Sequence, residues 1–428
     1  MNRSSVVARL LLVTGLCASA NVDAEGASLQ LLGDLPGGIF YSTANAISAD
    51  GTTVVGSATS ADGTEAFRWR AGTGMVSLGD LPDGPVASYG CGVSADGSVV
   101  VGSGTTFLLG IEVPKLMAYR WTEATGMVML NDRAGGAQRC WATGVSADGT
   151  MVIGVGSASL GAEAVRWTWP SLTPAGLGDM TGGVFGSAAK AITPSGSIIV
   201  GSATDAFGTQ GASWTAPNQI SGLGVLLGGT YWSEATAVNT DGTVAAGYSI
   251  VDAGLAYEAF VWNSSDGLVG LGDLPGGVRV SKSLAISADG SRIVGFGSTD
   301  AGEEAFIWTQ ATGMVRLADL LTGYGIPVGN VRLEAGLGIS ADGRTIVGRA
   351  HNEDGNTEAY VARMPVYLCP GDVTGDGVAD LADIGAMITS WDTDVTPDEA
   401  RDLDGNGHIG LGDLSVVITN WGQSCGSH

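Results

Sequence analysis

The sequence predicts an all-β fold, a seven-bladed propeller over residues 28–365, followed by a small helical domain over residues 366–428. Three observations predict it. Glycine supplies 70 of the 428 residues, more than twice the usual ~7%, and it keeps no every-third spacing, so it serves tight turns and not a collagen helix. A tetrapeptide, Ser-Ala-Asp-Gly, recurs along most of the chain. Past Pro365 a different pattern takes over, duplicated at an offset of 30 residues.

Residues 1–24 read as a secretory signal peptide. Arg3 and Arg9 supply the positive start, Leu10–Ala20 the short apolar stretch, and Ala18-Ser19-Ala20 or Val22-Asp23-Ala24 a small-residue cleavage site. Leu16 before Cys17 is too large for a lipoprotein processing site. No later segment approaches the ~18 apolar residues of a membrane span. The expectation is an exported, unanchored chain, secreted or associated with the cell surface. Acidic residues outnumber basic ones 43 to 19, a formal charge of −24. Such a surface repels phosphate backbones, which argues against nucleic acid as a partner and in favour of cations.

The propeller rests on three landmarks that each count seven. Glycines of the Ser-Ala-Asp-Gly turn, or of degenerate copies, stand at 51, 97, 149, 196, 242, 290 and 343, at intervals of 46 to 53 residues. Trp69, Trp121, Trp167, Trp214, Trp262 and Trp308 follow their glycines by 18 to 24 residues, and Ala362 takes the seventh place. Leu-Gly-Asp-Leu-Pro-Gly-Gly at 32–38 and 271–277 has variants at 78–84, 130–136, 177–183, 223–229 and 317–323.

Each unit divides into four strands. In the first, Ala44–Ser48, Thr52–Ala58, Glu65–Arg70 and Met75–Leu81 are separated by Ala-Asp-Gly, Ala-Asp-Gly and Gly-Thr-Gly turns. Four antiparallel strands every ~45 residues is the arithmetic of a propeller blade. The last unit stops after its third strand, and an unpaired strand, Ser28–Leu35, precedes the first. That strand is expected to complete blade seven beside Glu358–Arg363 and close the ring.

Glu65-Ala-Phe-Arg-Trp69, Thr73-Gly-Met75 and Leu78-Gly-Asp-Leu81 resemble the repeat unit of the extracellular HAF family. The resemblance covers residues 28–365 and implies an exported, propeller-like repeat protein with no defined activity.

In a four-stranded blade, the loops joining strand two to three and strand four to the next blade share one face. Phe40, Tyr41, Tyr89, Trp141, Phe185, Tyr231 and Trp232 follow those loops and can rim the channel mouth, where flat rings stack on a carbohydrate or grip an apolar peptide ligand. Wedge packing between blades is the other reading of the same residues. Glu65, Glu163, Glu258, Glu304 and Glu358 open the third strands and are expected to be solvated, too far from the axis to share an ion. The repeated Asp of Ala-Asp-Gly caps its own turn. The sequence holds no His-Glu-x-x-His and no phosphate-binding loop ending in Lys-Ser or Lys-Thr, so no catalytic residue is assigned. Cys91 and Cys140 precede the first strands of adjacent blades, which leaves a cross-blade bridge open.

The C-terminal duplication aligns 372–383 with 402–413. Oxygen-bearing residues at loop positions 1, 3, 5, 9 and 12, with Gly at 6, form an EF-hand-type loop, and a hard cation gathers several such oxygens. Two calcium ions are expected. Asp372, Thr374, Asp376, Asp380, Asp383 and the Val378 carbonyl would hold one. Asp402, Asp404, Asn406, Asp413 and the His408 carbonyl would hold the other, with water at Gly410. Each loop leads into a helix carrying an apolar stripe, Ile384, Met387, Ile388 and Trp391 in one and Leu414, Val417, Ile418 and Trp421 in the other. Packed together, these stripes make only a marginal core, so calcium would supply folding free energy. Cys369 and Cys425 bracket the domain, and a disulfide between them would contribute ~2–4 kcal/mol.

The duplicated loop-helix resembles a type I dockerin over residues 371–421. The resemblance implies a cohesin-like protein partner and assembly of polysaccharide-degrading machinery. Leu381-Ala382 and Leu411-Gly412 depart from the hydroxyl residues usual at loop positions 10 and 11. The expected function is a secreted binding or assembly protein, its propeller presenting a ligand face and its C-terminal domain docking onto a partner. The alternative is a polysaccharide-active enzyme, a glycoside hydrolase or lyase, carried by a dockerin.

Overall fold

The computed structural model describes residues 27–108, 113–217, 219–252, 256–364, 373, 379–394, 408–419 and 421. Residues 1–24, expected to be a signal peptide, lie outside them. Seven four-stranded antiparallel sheets follow one another along residues 28–363. Strand β1 (Ser28–Leu31) pairs with the last propeller strand, Thr357–Arg363, with Ser28 opposite Arg363 and Leu31 opposite Tyr360. The expected closure of blade seven is therefore present. Blade one is β2 (Gly37–Ile47), β3 (Val54–Ser60), β4 (Thr64–Arg70) and β5 (Gly74–Ser77), in that order from the axis outward. Its fourth strand ends four residues earlier than the sequence suggests, because Gly79 adopts φ +78° just beyond it.

The turn from strand one to strand two follows the expected chemistry. Ser48 Oγ donates to Asp50 Oδ1 at 2.5 Å, Asp50 Oδ1 accepts the Thr52 N–H at 3.0 Å, and Ser48 Oγ accepts the Thr53 N–H at 2.9 Å. Gly51 sits at φ +71°, which a side chain disfavours. These turns also join across blades. Ala95 N–H bonds to the Ala147 carbonyl, Ala147 to Pro194, Thr240 to Ala288, Ala288 to Ala341, and Ala341 to Ala49, at 3.0–3.1 Å.

A β-bulge falls on the equivalent residue of all seven innermost strands: Asn45, Cys91, Thr143, Lys190, Thr236, Leu284 and Leu337. The bulge bends the strand and re-aims that residue. It also explains the glycine repeated in every second strand. A Cβ added at Gly56, Gly102, Gly154, Gly201, Gly247, Gly295 or Gly348 would lie 1.8–2.0 Å from the carbonyl oxygen two residues before the bulge. Only glycine admits that approach.

Blades are stitched together by a serine three residues before the bulge. Ser42, Ser88, Ser187, Ser233 and Ser281 each donate to the glycine carbonyl of the Leu-Gly motif (Gly33, Gly79, Gly178, Gly224, Gly272) at 2.5–2.8 Å. Each also accepts a third-strand N–H of the preceding blade at 2.8–3.0 Å. Cys140 holds this place in blade three, where its thiol takes the Ala118 N–H at 3.4 Å. Cys91 and Cys140 are both free thiols, because one belongs to the bulge ring and the other to the stitch between blades.

The third-strand glutamates are not solvated as expected. Glu163 and Glu358 are buried, and their carboxylates accept the N–H of Gly178 and Gly33 at 3.2 and 2.8 Å. Glu258 accepts from Gly272 in the same way, so these residues brace the exit of the fourth strand. Arg133, Arg279 and Arg316 pair with Glu163, Glu258 and Glu304. Between blades six and seven the Leu-Gly-Asp-Leu place is taken by a helix, α1 (Leu317–Gly323), which buries Leu317 and Leu321.

Farther along, α2 (Leu381–Ile388) and α3 (Leu411–Thr419) bury Met387, Ile409 and Val417, with Val373, Ile384 and Leu414 against them. The stripes expected for these helices divide: Ile388, Trp391, Ile418 and Trp421 are exposed. Among the described residues, no helix is long and apolar enough to cross a membrane.

Candidate functional site

The two faces of the propeller differ. Among the described propeller residues, the large hydrophobic side chains that are exposed lie on the face of the two-to-three and four-to-one loops, apart from Val76 and Val269 on outermost strands. Ile39 is 85% exposed, Val184 84% and Leu227 95%. The register explains Ile39: Gly37 lies opposite Ser60 but Ser42 opposite Ala58, so residues 38–41 leave the ladder together. Burying such groups against a partner is favourable, and a monomer seldom gathers them on one side without use.

The aromatic residues expected to rim this face all lie on it. Phe40, Tyr41 and Tyr89 are exposed, whereas Trp141, Phe185, Tyr231 and Trp232 are half-buried. Three of the seven are thus open to solvent and four are partly covered. Tyr231 stacks against exposed Phe207 at 5.8 Å and donates to Asp205, while Trp232 packs on Tyr248 and Tyr257. The exposed aliphatic residues Ile39, Val184 and Val278 escaped the sequence reading. Each directly follows a Gly-Gly pair, and that recurrence is the signal that marks them.

The channel runs down the axis in layers. Next to the bulge ring lies a cavity of about 300 Å³, lined by the seven bulge residues with the two that follow each. The second of those is always β-branched: Ile47, Val93, Val145, Ile192, Val238, Ile286 and Ile339. This collar also bounds a second cavity, of about 270 Å³, at the turn side. Bulge side chains link blades across the first cavity. Asn45 donates to the Gly90 carbonyl at 2.9 Å, Thr143 to Ala189 at 2.9 Å and Thr236 to Ser283 at 2.7 Å.

One position above the bulge ring, at the mouth on the apolar face, stand Thr43, Tyr89, Trp141, Ala188, Glu234, Lys282 and Ala335. Charge gathers on blades five to seven. Glu234 is buried, pairs with Lys190 at 3.2 Å and accepts from Tyr248 at 3.1 Å. Glu334 accepts from Arg332 at 2.8 Å, lies 3.4 Å from Arg349 and 3.1 Å from His351. Burial pushes the Tyr248 hydroxyl well above the usual tyrosine range and lowers the Lys282 ammonium.

Of the residues expected to hold calcium, Asp380, Asp383, His408 and Asp413 are described. Asp372, Thr374, Asp376, Val378, Asp402, Asp404 and Asn406 lie outside the described residues, as do Cys369 and Cys425. Asp383 and Asp413 have no solvent exposure. Asp383 accepts the Asp380 N–H at 2.7 Å and Asp413 the Gly410 N–H at 2.8 Å, so both copies begin their helices alike. His408 is half-buried, and its hydrogen bond to Asp394 holds the imidazole above its ordinary range.

No known protein family matches this sequence, and no curated protein matches it either. Among solved structures, the β-propeller domain of the Trilobed protease from Pyrococcus furiosus superposes with a TM-score of 0.50 at 9% identity, over 75% of this chain and 95% of that one. TolB from Acinetobacter baumannii gives 0.44 at 12% identity over 62% of this chain, which spans 63% of TolB's length. A putative TolB from Agrobacterium tumefaciens gives 0.41 at 14% identity, over 68% and 94%. At these identities the likeness concerns the fold alone, and the fold is a seven-bladed β-propeller.

Proposed function

We propose that this chain is an exported binding and assembly protein, a HAF-type propeller presenting its apolar loop face to a ligand and a dockerin-like domain docking onto a cohesin-like partner. The observation that carries the reading is the sidedness of the propeller, with Ile39, Phe40, Tyr41, Tyr89, Val184 and Leu227 all exposed on one face. Mouth carboxylates Glu234 and Glu334 are engaged by cations, which favours binding over a glycan-cleaving reaction that needs two available carboxyl groups.

For the C-terminal domain, residues 366–428 carry eleven acidic side chains against one basic residue, Arg401. Carboxylates as buried as Asp383 and Asp413 fit a cation, since a buried charge is tolerated only with compensation. Asp372, Thr374, Asp376, Asp380, Asp383 and the Val378 carbonyl would hold one calcium ion. Asp402, Asp404, Asn406, Asp413 and the His408 carbonyl would hold the second. Calcium would supply folding free energy to the domain. Leu381, Ile388 and Trp391, with counterparts Leu411, Ile418 and Trp421 thirty residues on, are exposed and would form its docking surface.

A panel of neutral and acidic oligosaccharides and apolar peptides, screened against the wild-type chain and an Ile39→Ser, Val184→Ser, Leu227→Ser, Val278→Ser variant, tests the ligand face. Binding that the variant loses supports it. Binding equal in both proteins places the ligand elsewhere.

A further inference from the structure

The loop face divides into two arcs. Over blades three to five, exposed apolar side chains follow one another in a continuous strip. Leu160 precedes Gly161, where an added Cβ would meet the carbonyl oxygen of Phe185, the neighbour of Val184, at 2.6 Å. A Cβ at Gly182 would lie 3.0 Å from the Ala206 Cβ, and Phe207 stacks on Tyr231 at 5.8 Å. Leu227 belongs to the same loop as Tyr231. Leu160, Val184, Phe207 and Leu227 are 73–95% exposed. Residues 159–162, 180–187, 206–208 and 225–233 include no charged side chain.

Over blades six, seven and one the corresponding loops carry carboxylates. Asp62, Asp300, Glu353 and Asp354 in two-to-three loops, and Asp83 in the loop entering blade two, are exposed. Among the described residues, none of the five has a cation within ion-pair distance. The arginines of this arc are matched: Arg279 pairs with Asp252 and Glu258, Arg332 and Arg349 with Glu334. Lys282 lies over the Tyr248 and Tyr257 rings with Glu234 and Glu303 acting on it. Lys115 and Arg139 also lack an ion-pair partner among the described residues, but they stand on loops of blades two and three. There Lys115 donates to the Ala137 carbonyl and Arg139 lies over Trp141.

In a ring of seven, blade four stands across the channel from the join of blades seven and one. The strip and the open carboxylates therefore face each other across the mouth, with Ile39 and Val278 extending apolar surface into the acidic arc. We propose that this face binds a peptide segment of a partner protein, apolar at one end and rich in Lys or Arg at the other. The proposal rests on the ligand-face reading above and names its ligand class.

Shape and charge select that occupant. Leu160, Val184 and Leu227 are aliphatic and suit apolar side chains, whereas a sugar ring stacks on flat aromatic ones. Open carboxylates on a chain of formal charge −24 attract a cationic segment and repel an anionic bilayer. A second copy of this chain would bring its own carboxylates against the same arc. Burial of the strip would supply affinity, and the acidic arc would set orientation and the dependence on salt.

Fluorescence anisotropy on the full chain tests this with a labelled peptide whose halves are rich in leucine and in lysine. One counterpart has glutamates for the lysines, another serines for the leucines, and phosphatidylcholine vesicles serve as a further probe. The leucine–lysine peptide should bind at least about 10-fold tighter than either counterpart. Asp62→Asn, Asp83→Asn, Asp300→Asn, Glu353→Gln and Asp354→Asn, made together, should weaken it about 10-fold at about 0.1 M salt and leave little further loss at about 1 M, where screening is nearly complete. Leu160→Ser, Val184→Ser, Phe207→Ser and Leu227→Ser, made together, should weaken it about 10-fold or more at either salt concentration.

Equal binding of the lysine and glutamate peptides overturns the inference and leaves an apolar ligand face standing. Binding that survives the strip substitutions places the ligand elsewhere and removes the ligand-face reading as well. Preference for vesicles over every peptide overturns it in favour of a membrane. A doubled mass by light scattering that the strip substitutions halve overturns it in favour of self-association. No binding of any peptide overturns it, and the oligosaccharide panel then decides the ligand face. If the strip variant fails to fold, the peptide series and the charge variant, whose substitutions are all exposed, still decide the matter.

Discussion

Leu31 lies opposite Tyr360 in the ladder that joins the first described strand to the last strand of the propeller. Three further bonds cross this seam: Ser42 Oγ accepts the Ala359 N–H at 3.0 Å, the Glu358 carboxylate accepts the Gly33 N–H at 2.8 Å, and the Ala359 carbonyl accepts the Leu32 N–H at 2.9 Å. The ring is therefore held shut by residues from both ends of the propeller. Deleting residues 27–36 should turn a single cooperative thermal transition into a broad one. Replacing the buried Ser42 by Ala should cost ~1–3 kcal/mol. Calorimetry checks both, and an unchanged transition after the deletion would show that closure contributes nothing.

The glycine facing each bulge should be irreplaceable. A Cβ at Gly154 would stand 2.0 Å from the Trp141 carbonyl oxygen, whereas one at Gly72 meets nothing within 4 Å. Gly154→Ala should therefore destabilise by ~3 kcal/mol or more, and Gly72→Ala should stay within ~0.5 kcal/mol of the wild type. Urea unfolding at one temperature separates the two.

The blade count, closure and turn chemistry were legible in the sequence because they depend on local spacing. Ser48, Asp50 and Gly51 act within six residues of one another. Inter-blade features were not legible. The bulge at Asn45 shifts register by one residue and so decides which side chains face the channel. Without that register, Glu163 read as a solvated strand opener and Cys140 as half of a candidate bridge. Ile388 and Trp391 read as core because helical period alone assigns them to the stripe of Ile384 and Met387.

Acid should loosen the turn face. Hydrogen bonds from Ser146 and Thr150 hold the Asp148 carboxyl at about 2, against an ordinary 3.8. Because the folded value lies below the unfolded one, the turn's contribution is fully present above pH 4 and is lost as pH falls toward 2. Asp50, Asp96, Asp241 and Asp289 are lowered in the same direction. The difference in melting temperature between wild type and Asp148→Asn should be present at pH 6 and vanish near pH 2. A pH-independent difference would remove the carboxylate from the turn's stability.

Both thiols should be present and unreactive in the folded protein. Burial pushes Cys91 up to about 11 and Cys140 to about 12, which leaves almost no thiolate at pH 8. A thiol reagent should label neither in native protein and both after unfolding. Cys140→Ser should preserve the stitch, because a hydroxyl already fills that place in five other blades.

The proposed function makes the chain a two-part binding protein whose docking end would depend on calcium. A pull-down from exported and cell-surface proteins with residues 25–428, in calcium or in chelator, tests it. The expected result is a partner retained only in calcium and lost when Asp372 and Asp402 are both changed to Ala. A partner retained equally in chelator, or none in calcium, would contradict docking through the C-terminal domain.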